Sequence, residues 1–250
     1  MPLRYYDNNI NGTVNLISIM SEHGLKNIIF SSSAAVYGNP NYLPIDENHT
    51  LEPINPYGKS KMITEKILND LYVSDPKWSI ISLRYFNPVG SDSSGLLYDN
   101  PKNMPTNLMP VINKVANKEI KELTIYGDDF ETKDGTGIRD YIHISDLADG
   151  HISALDYIIS NENFYKNINL GSGSGISVIE LIKCFEDVNR IKINYKIGKR
   201  REGDLSSSYA SAKNAKKILN WKATRSIEDM CRSSFRNKKF VKWTPIKTQF

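Results

Sequence analysis

The chain is poor in cysteine and has no long apolar run. Its 250 residues include two cysteines, Cys184 and Cys231, which lie far apart and match no metal-ligand spacing. Two such residues are typical of reduced thiols in a cytoplasmic protein. The longest apolar runs, such as 28–30, are far too short to cross a bilayer, and the first residues lack the apolar core of a secretory signal. The sequence therefore predicts a cytoplasmic protein with no membrane segment and no metal site.

Neither sign of charge dominates. The formal net charge is +4, and much of the excess lies in residues 236–250, which we interpret as a solvated basic tail. A nucleic-acid partner is therefore not expected. Hydrophobic residues make up 40% of the chain and charged residues 24%, which is the balance of a globular protein rather than a disordered one.

Strand-like and helix-like apolar patterns alternate along the chain, and no internal repeat interrupts them. The predicted elements are a helix ending near Gly24, a strand over 26–33, a helix from about Tyr57, a strand over 79–86, a helix over 108–115, a strand over 122–126, a helix from Ser145, a strand over 168–170 and a helix after the capping box Ser177-x-x-Glu180. This alternation predicts an α/β fold with a parallel sheet.

The sharpest local signal is Tyr57-Gly-Lys-Ser-Lys61. A tyrosine and a lysine four residues apart on a helix lie on the same side, about one turn from each other. Tyrosine ordinarily titrates near pH 10, and a neighbouring positive charge favours the phenolate. The pair is therefore a candidate general base, although the same spacing also occurs by chance at exposed helix starts.

Polar residues follow two of the predicted strands. The first strand ends in Ser31-Ser32-Ser33 and the next in Tyr85-Phe86-Asn87. In parallel α/β sheets, functional residues collect just beyond the carboxyl ends of the strands. We therefore expect these two strand ends to converge with the tyrosine and lysine of the helix on one site.

These motifs resemble a known family. The segments 31–38 (SSSAAVYG), 57–61 (YGKSK), 84–90 (RYFNPVG), 134–143 (DGTGIRDYIH) and 201–204 (REGD) resemble UDP-glucose 4-epimerases, which are extended short-chain dehydrogenase/reductases. The resemblance runs from the first residues to about Cys231. It implies NAD-dependent oxidation and re-reduction at C4 of a UDP-hexose, in a cytoplasmic enzyme that is a homodimer in its full-length form.

The resemblance also assigns roles to individual residues. It implies the catalytic residues Ser33, Tyr57 and Lys61. It implies NAD contacts at Asn8, Ser33, Tyr57, Lys61 and Phe86. It implies UDP-sugar contacts at Asn87, Asn107, Leu108, Thr124, Ile125, Tyr126, Arg139, Arg201 and Asp204. The two arginines suit a diphosphate, because a guanidinium can donate two parallel hydrogen bonds to its oxygens.

One further position bears on which sugars fit. In the family, the residue four positions after the REGD aspartate resembles a gate over the hexose 2-position, where a small side chain admits N-acetyl sugars. Direct counting places Ser208 there, which implies that UDP-GlcNAc and UDP-GalNAc are also accepted. A shift of one residue in this alignment would place Tyr209 at the gate and reverse the conclusion.

The family begins with a strand, a glycine-rich phosphate turn and a helix, and no such turn precedes Tyr5. We therefore expect a partial Rossmann-like parallel sheet that lacks its first βαβ half. Residues 1–90 would form the C-terminal half of the NAD-binding domain, to which some later segments return. Residues 91–235 would form mainly a smaller α/β UDP-sugar-binding domain, followed by the divergent tail 236–250. We interpret Leu170–Gly175 (LGSGSG) as a turn in the substrate domain.

Two alternatives remain open from the sequence. One is another NAD-dependent sugar-nucleotide enzyme of the same superfamily, such as a decarboxylase, a 4,6-dehydratase or another epimerase. The other is an inactive or partner-dependent fragment that binds UDP-sugar without NAD. Because the chain lacks the phosphate turn, we expect it to bind NAD weakly and to show little epimerase activity when it is expressed alone.

Overall fold

The computed structural model describes residues 1–94, 97, 99 and 105–235, so the predicted tail 236–250 lies outside the described residues. The helices are α1 (Pro2–Tyr6), α2 (Gly12–Glu22), α3 (Pro56–Ser74), α4 (Leu108–Ala116), α5 (Ile144–Ser160), α6 (Val178–Asn189), α7 (Lys213–Leu219) and α8 (Ile227–Ser234). The strands are β1 (Asn27–Ser33), β2 (Ser79–Tyr85), β3 (Asn87–Val89), β4 (Leu123–Tyr126), β5 (Ile138–His143), β6 (Phe164–Leu170), β7 (Gly175–Ser177), β8 (Tyr195–Gly198) and β9 (Ser207–Ser208). A π-helical turn, Asp7–Asn11, joins α1 to α2.

The first sheet is parallel and has the strand order β1-β2-β6. Its central strand is buried on both faces, as its nearly continuous apolar sequence predicts for a parallel sheet. Ile80 packs with α2 and α3 on one face, whereas Ile81 and Leu83 pack with α5 and α7 on the other. Helices therefore cover both faces of this sheet, and the predicted α/β fold is confirmed.

A second group of strands builds the other side of the molecule. β5 pairs with β3 and β9 in parallel and with β7 in antiparallel orientation, and β4 pairs with β8 separately. The core beneath them contains Ile112 of α4, Phe185 of α6 and Cys231 of α8. The capping box at the start of α6 is present as predicted, with Ser177 and Glu180 bonded reciprocally. Within the described residues, none of the helices combines the length and the apolar character that a membrane crossing requires.

The glycine-rich segment Leu170–Gly175 contains a turn, as predicted. Leu170 ends β6 of the first sheet and Gly175 begins β7 of the second group, so the segment connects the two. Its turn is held by the buried Asp140 of β5, whose carboxylate accepts from the Ser172 and Gly173 backbone N–H groups at 2.7 and 3.0 Å. The sequence analysis missed β5, because Arg139 and Asp140 interrupt its apolar pattern.

Candidate active site

The carboxyl ends of β1 and β2 lie side by side. The strands are parallel, and Ser33 is in register with Tyr85. A cavity of about 1600 Å³ opens at these ends, and Ser33, Tyr57, Phe86 and Asn87 are among the residues that line it. Two strand ends and the first turn of α3 therefore meet at one cleft, as the sequence predicted.

The start of α3 is held against the turn that follows β1. The Asn55 side chain caps the helix by accepting from the Gly58 N–H at 2.8 Å. A Cβ added at Gly58 would lie 2.3 Å from the Ala35 carbonyl oxygen, so only glycine allows this close approach. The glycine in the Tyr57 motif thus has a packing role, because it lets the helix carry Tyr57 up to the end of β1.

Lys61 lies one turn after Tyr57 on the same side of α3. Its Nζ donates to the Ser31 carbonyl oxygen at 2.8 Å and lies 5.8 Å from the centroid of the Tyr57 ring. Burial lowers the pKa of Lys61. A single backbone carbonyl thus anchors the ammonium next to the phenol.

The cleft is also lined by Arg139, which makes no salt bridge within the described residues. In the same part of the chain, the only hydrogen bond of the Arg139 guanidinium goes to its neighbour, the Ile138 carbonyl oxygen, at 2.8 Å. Burial lowers the pKa of Arg139, and the nearby Asp204 offsets this only in part. A half-buried cation that lines a cleft and has no direct carboxylate contact among the described residues is suited to bind an anion.

Arg201 and Asp204 lie beside it and contact each other. The Arg201 Nε donates to Asp204 Oδ2 at 2.9 Å, and the guanidinium lies 4.5 Å from the centroid of the Tyr126 ring. All three line the cleft. The Arg201 side chain in this pair is more than a third exposed. A ligand can therefore displace Asp204 from Arg201 at little cost in free energy.

The structure brings most of the predicted site residues to this one cleft. Those that line it are Ser33, Tyr57, Phe86, Asn87, Asn107, Leu108, Thr124, Ile125, Tyr126, Arg139, Arg201 and Asp204. Three others do not line it. Lys61 lies behind Tyr57, and Asn8 is exposed in the π-helical turn. Ser208 is buried in β9, where it is in register with Arg139 of β5, and Tyr209 does not line the cleft either.

The sequence analysis overlooked Tyr5, which lines the cleft and packs edge-on against Tyr57 with ring centroids 5.8 Å apart.

The sequence analysis also overlooked a charged pair beneath the site. Arg84 of β2 donates to both carboxylate oxygens of Glu65 in α3, at 3.0 and 2.6 Å, and both side chains are almost fully buried. The Ser32 hydroxyl donates to the same carboxylate at 2.5 Å. The presence of an arginine inside the apolar run 79–86 is the sequence signal that could have revealed this buried pair.

No group of three histidine, cysteine, aspartate or glutamate side chains suited to a metal ion occurs among the residues that the structure describes. Cys184 and Cys231 are both free thiols.

The cap that His143 provides for α5 makes the free energy of unfolding depend on pH. Its Nδ1 accepts from the Ser145 N–H at 3.0 Å at the start of α5, and its Nε2 lies 2.9 Å from the Ser233 hydroxyl of α8. The cap needs a ring that is unprotonated at Nδ1, and burial lowers the pKa of His143 below its usual 6.5. Because the folded pKa is the lower one, this stabilisation is present above about pH 6.5 and is lost as the pH falls through the folded pKa.

We therefore expect His143→Ala to lower the free energy of unfolding by about 1 kcal/mol at pH 8, the usual cost of a lost helix cap. The difference from wild type should narrow at pH 5.5, because below about pH 6.5 the unfolded chain binds a proton at His143 more readily than the folded chain does. Urea unfolding at the two pH values measures this, with His23→Ala at an exposed position as the control. A difference that stays constant or widens at pH 5.5 would contradict the assigned role.

Comparison with known proteins identifies relatives of the whole described chain. The family model described as GDP-mannose 4,6 dehydratase matches residues 1–234. UDP-glucose 4-epimerase 2 of Oryza sativa subsp. japonica is 51% identical, and the match covers 94% of this chain and 58% of that protein. UDP-glucose 4-epimerase of Bacillus subtilis (strain 168) is 45% identical, with 94% and 69% covered. The chain thus spans a little over half the length of its rice relative.

A solved structure shows the same arrangement of the backbone. The crystal structure of UDP-glucose 4-epimerase from Bifidobacterium longum in complex with NAD+ and UDP has a TM-score of 0.90 and 49% sequence identity. The match covers 95% of this chain and 71% of that one.

Proposed function

The chain belongs to the UDP-glucose 4-epimerase family, and from this we propose that its cleft carries out the NAD-dependent interconversion of UDP-glucose and UDP-galactose. One observation supports the proposal most. A single cleft is lined both by the Tyr57 phenol, which has the Lys61 ammonium next to it, and by Arg139, which makes no salt bridge within the described residues. This combination of a phenol and a cation suits a ligand that has both a sugar and a diphosphate.

Tyr57 acts as the base in the proposed reaction. Its hydroxyl oxygen, with the Lys61 ammonium nearby, takes the proton from the C4 hydroxyl of the sugar, and the Ser33 hydroxyl at the end of β1 donates a hydrogen bond to the same sugar oxygen. When the reaction runs back to the opposite configuration, Tyr57 returns the proton. This chemistry needs a charged group held close to the phenol, which the 2.8 Å bond between Lys61 and the Ser31 carbonyl supplies.

The cofactor residues fit NAD in their chemistry. Ser33 and Phe86 lie at the ends of the parallel strands β1 and β2, and Tyr57 and Lys61 lie on the helix beside Ser31 and Ser33, which is where dinucleotides bind in folds of this class. Asn8 lies in the π-helical turn before α2. NAD+, when bound, supplies the acceptor for the C4 hydride. Relatives are known in complex with it, including the Bifidobacterium longum enzyme.

The remaining cleft residues would hold the UDP group. Arg139 and Arg201 bind the diphosphate through paired N–H donors. Asp204 accepts from a ribose hydroxyl once Arg201 has turned to the phosphates, and the backbone of Thr124–Tyr126 faces the uracil. The other contacts to the UDP-sugar are Asn87, Asn107 and Leu108.

Binding of UDP to the 250-residue chain tests this assignment without requiring activity. Replacing Arg139 with Gln should weaken UDP binding about 10- to 100-fold, because a charge-assisted contact contributes about 1.5–3 kcal/mol. Arg200→Gln is the matched control, because Arg200 pairs with Asp129 and does not line the cleft. Titration calorimetry measures both variants. If the two variants bound UDP with equal affinity, the diphosphate would not be bound by Arg139.

The NAD content of the purified chain distinguishes an NAD-dependent enzyme, whether an epimerase or another member of the superfamily, from a fragment that only binds UDP-sugar. A chain that binds UDP but carries no NAD after purification, and none after addition of NAD, would be a UDP-sugar-binding fragment. A 4,6-dehydratase would be expected to have acidic and threonine residues beside the tyrosine motif. Here Asn55 precedes that motif and serves as a helix cap, which favours the epimerase.

We further propose that UDP-GlcNAc and UDP-GalNAc are substrates, because Ser208, although it does not line the cleft itself, is small and is paired with Arg139, which does. Ser208→Tyr should remove turnover of the N-acetyl sugars and leave turnover of UDP-galactose nearly unchanged, since a ring beside Arg139 would extend into the space for an acetamido group. Coupled assays with the four UDP-sugars measure this, in an active polypeptide that contains this chain. Ser207→Tyr, one residue earlier in β9, is the control for register. No N-acetyl turnover in an enzyme active on UDP-galactose would refute the gate.

The division into residues 1–90 and 91–235 belongs to the same proposal. It is supported by the first sheet, which β6 joins from the later part of the chain. We also propose a cytoplasmic homodimer. The apolar side chains of Leu3, Leu16 and Ile19 on α1 and α2 are more than half exposed and offer a surface for a second subunit.

A further inference from the structure

Tyr85 lies at the end of β2, next to the cleft but outside its lining. Its hydroxyl oxygen is 2.5 Å from Nε2 of His151 in α5 and 2.7 Å from Oγ of Ser31 in β1. The other ring nitrogen of His151, Nδ1, is 2.9 Å from the Leu147 carbonyl oxygen. Tyr85 therefore connects α5 to the strand that ends at the catalytic serine.

The chemistry of these groups limits how the hydrogens can be arranged. The Leu147 carbonyl only accepts, so the Nδ1 of His151 carries a hydrogen and donates to it. In the neutral ring, Nε2 is then an acceptor, and the Tyr85 hydroxyl donates to it. The Tyr85 oxygen keeps a lone pair for the Ser31 hydroxyl. The Tyr85 hydroxyl and both ring nitrogens of the half-buried His151 thus have partners, and the exposed Ser31 hydroxyl completes the group, which holds the Tyr85 ring and the Ser31 side chain in one arrangement.

Ser31 contacts the Tyr85 hydroxyl through its side chain and Lys61 through its backbone. Lys61 Nζ donates to the Ser31 carbonyl oxygen at 2.8 Å, and this is the only hydrogen bond of that ammonium within the described residues. Resting on the proposed function, we propose that Tyr85 and His151 are positioning residues, which fix Ser31 so that its carbonyl holds the Lys61 ammonium beside Tyr57.

Tyr85 is not a second base. Burial, together with the nearby Tyr57, raises the pKa of Tyr85, which favours the protonated hydroxyl. Tyr85 also does not line the cleft, whereas Tyr57 does. The two neighbouring tyrosines have different tasks. Tyr57 exchanges the proton, and Tyr85 keeps its own proton to hold the structure behind the lysine.

The reactivity of Lys61 tests this role in the 250-residue chain, whether or not the chain is active. Trace acetylation followed by peptide mass spectrometry gives the labelling rate of each lysine. Tyr85→Phe should raise the rate at Lys61 about two- to ten-fold, the effect of one weakened hydrogen bond of about 0.5–1.5 kcal/mol, and leave the other lysines unchanged. His151→Leu should do the same, whereas His151→Gln keeps an acceptor near the hydroxyl and should restore the wild-type rate.

Two further variants complete the labelling experiment. Tyr157→Phe is the matched control, because Tyr157 lies on the same helix as His151 and packs against Phe164 away from the site. Ser31→Ala leaves both rings in place and should raise the rate at Lys61 even if Tyr85→Phe does not fold. An unchanged rate at Lys61 in the folded Tyr85→Phe and Ser31→Ala variants would overturn the positioning role.

Kinetics distinguish positioning from a general loss of structure. In an active polypeptide that contains this chain, Tyr85→Phe should lower kcat about two- to ten-fold and leave KM for UDP-galactose within about two-fold. An unchanged kcat would also overturn the proposal. If wild type has no epimerase activity but Lys61 labelling still responds, the proposed function fails while the positioning of Lys61 stands.

Discussion

Replacing Tyr57 with Phe is expected to lower kcat for UDP-galactose about 10²- to 10⁴-fold, the usual contribution of a general base, in any active polypeptide that contains this chain. The affinity for UDP should change little, because the proposed diphosphate and uracil contacts are made by other residues of the cleft, such as Arg139. The phenylalanine ring keeps the edge-on contact with Tyr5, so the packing at the start of α3 is preserved. Steady-state kinetics and UDP titration together measure the two effects.

Tyr72→Phe is the control for this experiment. Tyr72 lies on the same helix and donates to the Asn163 carbonyl oxygen at 3.2 Å, on the surface and away from the cleft. It should retain the wild-type kcat. A Tyr57→Phe variant with wild-type turnover would show that another group removes the proton.

Replacing Arg84 with Met is expected to destabilise the folded chain by about 3–5 kcal/mol, because it leaves the Glu65 carboxylate buried without its partner. Arg84 and Glu65 are each about 1–2% exposed at the side chain, and the pair makes two hydrogen bonds. The same arginine donates to the Tyr37 hydroxyl at 2.9 Å, so its removal also disturbs a second buried polar group. The midpoint of urea unfolding, read by circular dichroism, measures the loss.

Arg232→Met provides a surface pair for comparison. Arg232 lies 3.3 Å from Asp229, and both side chains are about half exposed or more. Its loss should change the free energy of unfolding by less than about 1 kcal/mol. If Arg84→Met cost no more than this control, the buried pair would not be a main source of stability beneath the site.

The amino-acid sequence was enough to predict the elements whose pattern is local. The buried strand β2, the helix α3 with its proline start and the capping box of α6 all depend on residues within a few positions of one another. The motif residues at the strand ends were also identifiable, because parallel strands place their carboxyl ends at one edge. Short strands such as β3, β7 and β9 were missed, since two or three residues carry too little pattern.

Only the tertiary structure showed which distant polar groups meet. Glu65 and Arg84 form their pair across the interface between α3 and β2, and Asp140 holds a turn that lies some thirty residues later in the chain. Tyr85 and His151 are likewise brought together by the packing of α5 on the first sheet. No local rule predicts such contacts, because each depends on how two separately formed elements pack.

The chain therefore determined by itself the α/β pattern, the tyrosine and lysine on one side of a helix, and the two strand ends that accompany them. The tertiary structure decided that Arg139 makes no salt bridge within the described residues and that Lys61 is anchored by a backbone carbonyl. The physical reason is that periodicity and helix caps act between neighbours in the sequence. Whether a buried charge is compensated depends on every element packed around it.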